Sequence, residues 1–235
     1  MIAATAIAAG VRLGCGIVTE WRCDPDASSQ RIYFANHSSH LDFVVIWSAL
    51  SPGLRTHARP VAGRDYWERD RLRRYLARDL FRAVLIDRSQ TQTAEARSRG
   101  AFNSVDPGNQ ISAAQHLRGP SADPCASARA AVERMADAMG DRDSLILFPE
   151  GTRSTNGEVG PFKSGLYHLS RLRPDAELIP VHVENLNRIL PKGEVLPVPM
   201  ISRVVFGPSV RSAAEDKQDF LDAARDALLQ LGRNS

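Results

Sequence analysis

Long apolar runs are scarce in this 235-residue sequence. The only one, MIAATAIAAGVRLGCGIV, lies at the N-terminus and is interrupted by Arg12. Its unbroken part falls short of the roughly 20 residues that span a bilayer. No basic stretch precedes it, so it does not read as a secretory signal. A helix within residues 1–20 is expected instead, packed on the domain or resting in a membrane interface. Cysteine is sparse as well: Cys15, Cys23 and Cys125 show no metal-site spacing, and their odd number argues against a disulfide framework. A reducing compartment follows. Lysine is nearly missing from the 30 basic residues; arginine favours planar contacts to phosphate or carboxylate. A net charge of +3 permits attraction to phosphates or an anionic lipid surface without demanding either. No nucleic-acid partner is expected. No internal repeat is visible. What remains, 43% hydrophobic and 24% charged, suits one domain with a sizeable core.

Along the chain, strand and helix patterns alternate. RIYFA (31–35), 56–62, AVLIDR (83–88), 145–148, LIPVHV (178–183) and ISRVVFG (201–207) read as strands. LDFVVIWSAL reads as a helix stopped by the SPG at 51–53. A second helix is predicted over 65–80, with Leu72, Leu76 and Leu80 on one line and Arg71, Arg74, Arg78 and Arg82 on another. Residues 89–122 are rich in Ser, Gln, Gly and Asn and read as an irregular surface insertion. Asp123-Pro124 opens a helix that Gly140 ends, 163–173 is a short helix, and a last one runs from about Ala214 to Gly232. Strands separated by helices imply an α/β fold, a mixed central sheet flanked by helices. The connection through Leu190-Pro191-Lys192-Gly193 supplies the antiparallel step.

Two polar stretches follow strands. In NHSSHLD, His37 and Asp42 are five residues apart, about 140° apart on a continuous helix. A turn over Asn36–Ser39 would let Asp42, in the first turn of a helix, accept from one ring nitrogen of His37. The other nitrogen would then be a base. No G-x-S-x-G nucleophile accompanies this pair. Such a dyad can take the proton from a substrate hydroxyl that attacks an activated acyl group directly. Satisfied turn polar groups, or a metal site of His37, His40 and Asp42, are the alternatives, although the spacing matches no usual zinc pattern. In LILFPEGTRS, Gly151 permits close backbone approach to a ligand and Arg153 can fork onto phosphate. Glu150 can hold a hydroxyl or tie down Arg153.

Together the two stretches resemble the N-H-x-x-x-x-D and F-P-E-G-T-R-S blocks of the glycerolipid acyltransferases, the family of 1-acylglycerol-3-phosphate acyltransferase. LIDR (85–88) resembles the end of that family's second block and IPV (179–181) its fourth; Phe162, Lys163 and Gly165 match an F-K-x-G pattern. The blocks keep the family order over about residues 30–210. The stretch FRAVLIDR departs from the glycine and aromatic residues common before the second-block arginine, which leaves the acceptor open.

The resemblance implies acyl transfer from acyl-CoA or acyl-acyl carrier protein to the free hydroxyl of 1-acylglycerol-3-phosphate, forming phosphatidate. Other acceptors within the family are glycerol-3-phosphate and other lysophospholipids. His37 would be the base and Asp42 its partner; Arg88, Glu150, Gly151, Thr152 and Arg153 would bind the acceptor. Neither a metal nor a bound cofactor is needed, the thioester being a cosubstrate. The lipid acceptor implies an anionic membrane surface, met from the cytoplasmic face as a peripheral or monotopic protein, with acyl carrier protein as a further partner. The N-terminal segment and the arginine line are the candidate contacts. A thioesterase using water and a catalytically idle lipid-binding protein are the rival classes.

Overall fold

The computed structural model describes residues 2–25, 28–39, 41–87, 124–154, 157–184, 201–210 and 216–233. Arg88, His40, the 89–122 segment and the Leu190–Gly193 connection lie outside the described residues. Among the described residues, seven strands form the sheet: β1 (Val18–Trp21), β2 (Arg31–Ala35), β3 (Ala58–Gly63), β4 (Val84–Ile86), β5 (Ser144–Leu147), β6 (Glu177–Val183) and β7 (Arg203–Phe206). Their order is β1-β7-β6-β2-β5-β3-β4. Strands β2 to β6 run parallel where they pair, and β7 meets β6 antiparallel. The expected mixed sheet is therefore present. β1, which the sequence reading leaves out, pairs parallel with β7.

Among the described residues, eight α-helices cover the sheet: α1 (Ile2–Gly14), α2 (Asp42–Ala49), α3 (Pro52–His57), α4 (Arg64–Trp67), α5 (Arg71–Tyr75), α6 (Pro124–Met139), α7 (Gly165–Leu172) and α8 (Lys217–Arg233). The side-chain alternation of β2 sorts the two faces. Tyr33 and Ala35 join Phe43, Ile46 and Trp47 of α2 and Ala8 of α1 in one core. Ile32 and Phe34 join Met135 and Met139 of α6, Leu166 and Leu169 of α7, and Leu228 of α8 in the other. All five residues of β2 are buried, as a central strand covered on both faces requires.

α1 packs against α2. Arg12 has a specific task there. Its guanidinium donates to the carbonyls of Ser48 (2.6 Å), Ala49 (3.1 Å) and Leu50 (3.3 Å). Arg55 donates to the carbonyls of Trp47, Ser48 and Leu50. Two cations thus satisfy the C-terminal carbonyls of α2, where the helix dipole is negative. No described helix is long and apolar enough to cross a membrane.

Two helix expectations need correction. The SPG stretch does not only stop α2: Ser51 caps α3, its hydroxyl accepting the Leu54 N–H, and Pro52 is the first helical residue. The predicted helix over 65–80 is broken into α4, α5 and a π-helical turn over Leu76–Leu80. Asp70 starts α5 afresh by accepting the Arg73 N–H at 2.8 Å. Of the arginine line, Arg74 and Arg78 both donate to Glu68, and only Arg82 leaves it. Arg82, at φ 50°, turns its side chain onto Asp143 before β5.

Candidate active site

β2 and β5 are parallel neighbours, with Phe34 opposite Leu147. The chain therefore leaves both strands at one end of the sheet, the carboxyl end, where open α/β folds carry their ligands. Asn36 follows β2. Its side-chain amide donates to the Val183 carbonyl and accepts the Val183 N–H, each at 2.9 Å, continuing the β2–β6 ladder by one rung. His37 comes next, at the mouth of the sheet.

Asp42 is fully buried as the first residue of α2. Its Oδ2 accepts the N–H groups of Ser38 (2.6 Å) and Ser39 (2.8 Å) and lies 2.8 Å from His37 Nδ1. Two main-chain donors suit an ionised carboxylate, so Nδ1 carries the ring proton and Nε2 is left as the acceptor nitrogen. The expected turn and dyad are both formed. The imidazole also stacks on Phe148, with centroids 4.3 Å apart and planes at 18°.

The second stretch grips the backbone of His37 from both sides. Glu150 Oε1 accepts the His37 N–H at 2.8 Å, and the Ser154 N–H donates to the His37 carbonyl at 2.8 Å. Glu150 thus departs from the expectation of a pair with Arg153. Its other oxygen, Oε2, accepts the Gly160 N–H at 2.9 Å. Burial pushes its carboxyl above the ordinary carboxylate range, and the charge of Asp42 adds to the rise; the two amides and the His37 ring oppose it.

Gly151 sits at φ +72°, a conformation that favours glycine, and a Cβ there would stand 2.6 Å from Cε of Lys163. The F-K-x-G lysine therefore lies directly over the F-P-E-G-T-R turn. Thr152 and Arg153 are exposed on that turn. Of the predicted residues, His37, Asp42, Glu150, Gly151, Thr152 and Arg153 gather at this end of the sheet, and Arg88 lies outside the described residues. His40, the third member of the metal alternative, does too; no cluster of three metal-ligating side chains occurs among the described residues.

A model of the family described as Acyltransferase matches residues 24–184. The chain belongs to that acyltransferase family. The matched span contains the dyad and the turn that holds it. Among characterised acyltransferases, the 1-acyl-sn-glycerol-3-phosphate acyltransferases of Limnanthes douglasii and Limnanthes alba are each 34% identical to it over 95 residues, 40% of this chain. A chloroplastic enzyme of the same name from Brassica napus is 36% identical over 50 residues. The chain spans about a third of the length of the two Limnanthes proteins. The crystal structure of the 1-acyl-sn-glycerophosphate acyltransferase PlsC from Thermotoga maritima shares the fold. It superposes with a TM-score of 0.62 at 16% identity, over 98% of this chain and 79% of that one.

Phe148, Ser154 and Gly160 contribute to this candidate site without a role in the sequence reading, and Asn36 has there only a place in the turn. Asn36, Phe148 and Ser154 stand inside the two quoted stretches, so their positions were visible but their partners were not. Gly160 offered only its residue type. A Cβ there would lie 3.3 Å from Glu150 Oε2, a crowded approach to the carboxylate that accepts its N–H.

Proposed function

We propose that the protein transfers a fatty acyl group from acyl-CoA or acyl-acyl carrier protein to the free hydroxyl of 1-acylglycerol-3-phosphate. The observation that carries this reading is the His37–Asp42 pair held against the arginine-bearing turn by Glu150 and Ser154. A base and a cation for a phosphate stand on one rigid frame, as transfer between a hydroxyl and a thioester requires.

The acceptor hydroxyl gives its proton to His37 Nε2 as its oxygen attacks the thioester carbonyl carbon. Asp42 holds the ring and balances the imidazolium charge. The tetrahedral intermediate then collapses, the carbon–sulfur bond breaks, and the imidazolium returns its proton to the leaving thiolate. No enzyme nucleophile is needed. Arg153, with Thr152, the Gly151 backbone and Arg88, binds the glycerol-phosphate head.

The lipid acceptor places the site against a membrane surface, from the cytoplasmic face. Apolar side chains at the same end of the sheet support this. Leu13 is 85% exposed, Val18 51% and Ile201 66%. They are drawn together by the Val18 N–H to Ser202 carbonyl and Ser202 N–H to Cys15 carbonyl bonds. The antiparallel β6–β7 pairing brings this edge beside Val183, the partner of Asn36.

A panel of acceptors (lysophosphatidate, glycerol-3-phosphate, lysophosphatidylcholine and water alone) against one acyl-CoA and one acyl carrier protein tests the reading. Phosphatidate formed from lysophosphatidate in preference to the others is the expected product. Release of free fatty acid at the same rate with and without acceptors would make the protein a thioesterase.

A further inference from the structure

We propose that Glu150 is a positioning residue that sets where the base stands, by bridging the His37 main-chain N–H to that of Gly160, and that it does not contact the acceptor. This rests on the reading of His37 as the base.

The geometry is that of a clamp. Oε1 takes the His37 N–H at 2.8 Å and Oε2 takes the Gly160 N–H at 2.9 Å. The residue is only 7% exposed. Each oxygen is engaged by a main-chain N–H in this buried position, so both ends of the carboxylate are committed to the backbone. A carboxylate is the only side-chain group of this length that accepts at both ends at once. Glutamine accepts at one end and presents an N–H donor to the other amide. The strands add the reason for the clamp. His37 follows β2, Glu150 follows β5, and Gly160 belongs to the segment leading into α7. The bridge ties the base's turn, the arginine turn and that segment together. Holding reacting groups within a fraction of an ångström is worth orders of magnitude in rate. The burial cost of the ionised side chain is thus borne at the place where geometry matters most.

The experiment compares wild type, E150Q, E150D and G160A with acyl-CoA and lysophosphatidate, alongside R153A as the head-group comparator. The backbone amide resonances of His37 and Gly160 are followed through a pH titration in wild type and E150Q. E150Q is expected to lower kcat by at least tenfold with the acceptor KM changed less than threefold. E150D and G160A, which shorten or crowd the bridge, should fall between. R153A should instead raise the acceptor KM. In wild type, the two amides should share one titration step that E150Q abolishes. A raised acceptor KM with kcat retained in E150Q would return Glu150 to the acceptor site and overturn the proposal. Unchanged kinetics, or amides that titrate independently of Glu150, would overturn it too. If wild type transfers no acyl group to any acceptor, the functional reading fails by itself, while the amide titration still decides whether the clamp exists.

Discussion

Phe148 lies flat on the imidazole of His37, 4.3 Å between centroids, although the two residues belong to different strands' ends. The ring contact closes a set of restraints on one side chain. Asp42 fixes Nδ1, Phe148 fixes the plane, and Glu150 and Ser154 fix the main chain beneath it. An imidazole held in this way keeps one orientation, as the base role proposed for His37 requires while charge develops.

Replacing His37 by alanine is expected to abolish acyl transfer while far-ultraviolet circular dichroism stays that of wild type. Asp42→Asn should retain a trace, with kcat down by roughly 10⁴, the scale of the analogous change in a Ser-His-Asp triad. The amide still reaches the ring but cannot balance an imidazolium. Transfer assays with radiolabelled thioester decide it. Wild-type turnover in the His37 variant would remove the dyad from the mechanism.

Arg153→Lys keeps the charge and loses the planar fork. The acceptor KM should rise about tenfold, the size of one lost charge-assisted contact, with the donor KM nearly unchanged. Steady-state constants for both substrates measure this. An unaltered acceptor KM would take Arg153 out of the head-group site.

Glu150 also predicts a pH dependence. Burial holds its folded-state pKa above the unfolded value, so the stability it contributes is fully present below the unfolded pKa and is lost as pH rises through the folded one. His37 and Asp42 are the ionisable groups facing it and are common to wild type and E150Q. The Tm of E150Q relative to wild type should therefore increase as pH rises from below the ordinary glutamate value through the raised one. Calorimetry at stepped pH gives the difference directly, and a relative Tm that falls over that window contradicts the sign.

Arg12→Ala removes a guanidinium from three carbonyls at the end of α2, with Arg55 still donating to two of the same oxygens. A loss of about 1–2 kcal/mol in unfolding free energy is expected, the net worth of one or two hydrogen bonds made by a charged group. Urea denaturation checks it; an unchanged midpoint would mean that Arg55 caps α2 alone.

Leu13 and Ile201 together should matter for lipid contact. The double change to serine is expected to weaken sedimentation with anionic vesicles several-fold, through the loss of buried apolar area. Turnover of a water-soluble, short-chain acceptor should be kept. Equal sedimentation of both proteins would move the membrane face elsewhere.

The sequence by itself determined the local pieces of this acyltransferase-family chain. The short apolar runs in RIYFA and LILF mark buried strands. NHSSHLD declares a turn followed by a helix with an acid in its first turn, which is enough to bring Asp42 to His37 because only five residues separate them. Short-range geometry of this kind is decided by backbone stereochemistry, and residue types report it. Four matters were decided only by the tertiary structure. The 65–80 pattern looks like one helix, yet Asp70 restarts it and the chain must turn to reach β4. Arg12 looks like a flaw in an apolar segment until α2 supplies carbonyls 36 residues away. β1 has too few residues to announce itself without β7 beside it. Glu150 has the same residue type whether it binds a ligand or a backbone. Its partners depend on β5 lying next to β2, which brings residues 113 positions apart within hydrogen-bond reach. Strand order is set by the competition of whole hydrogen-bonded edges and two-sided burial, and no single segment encodes it.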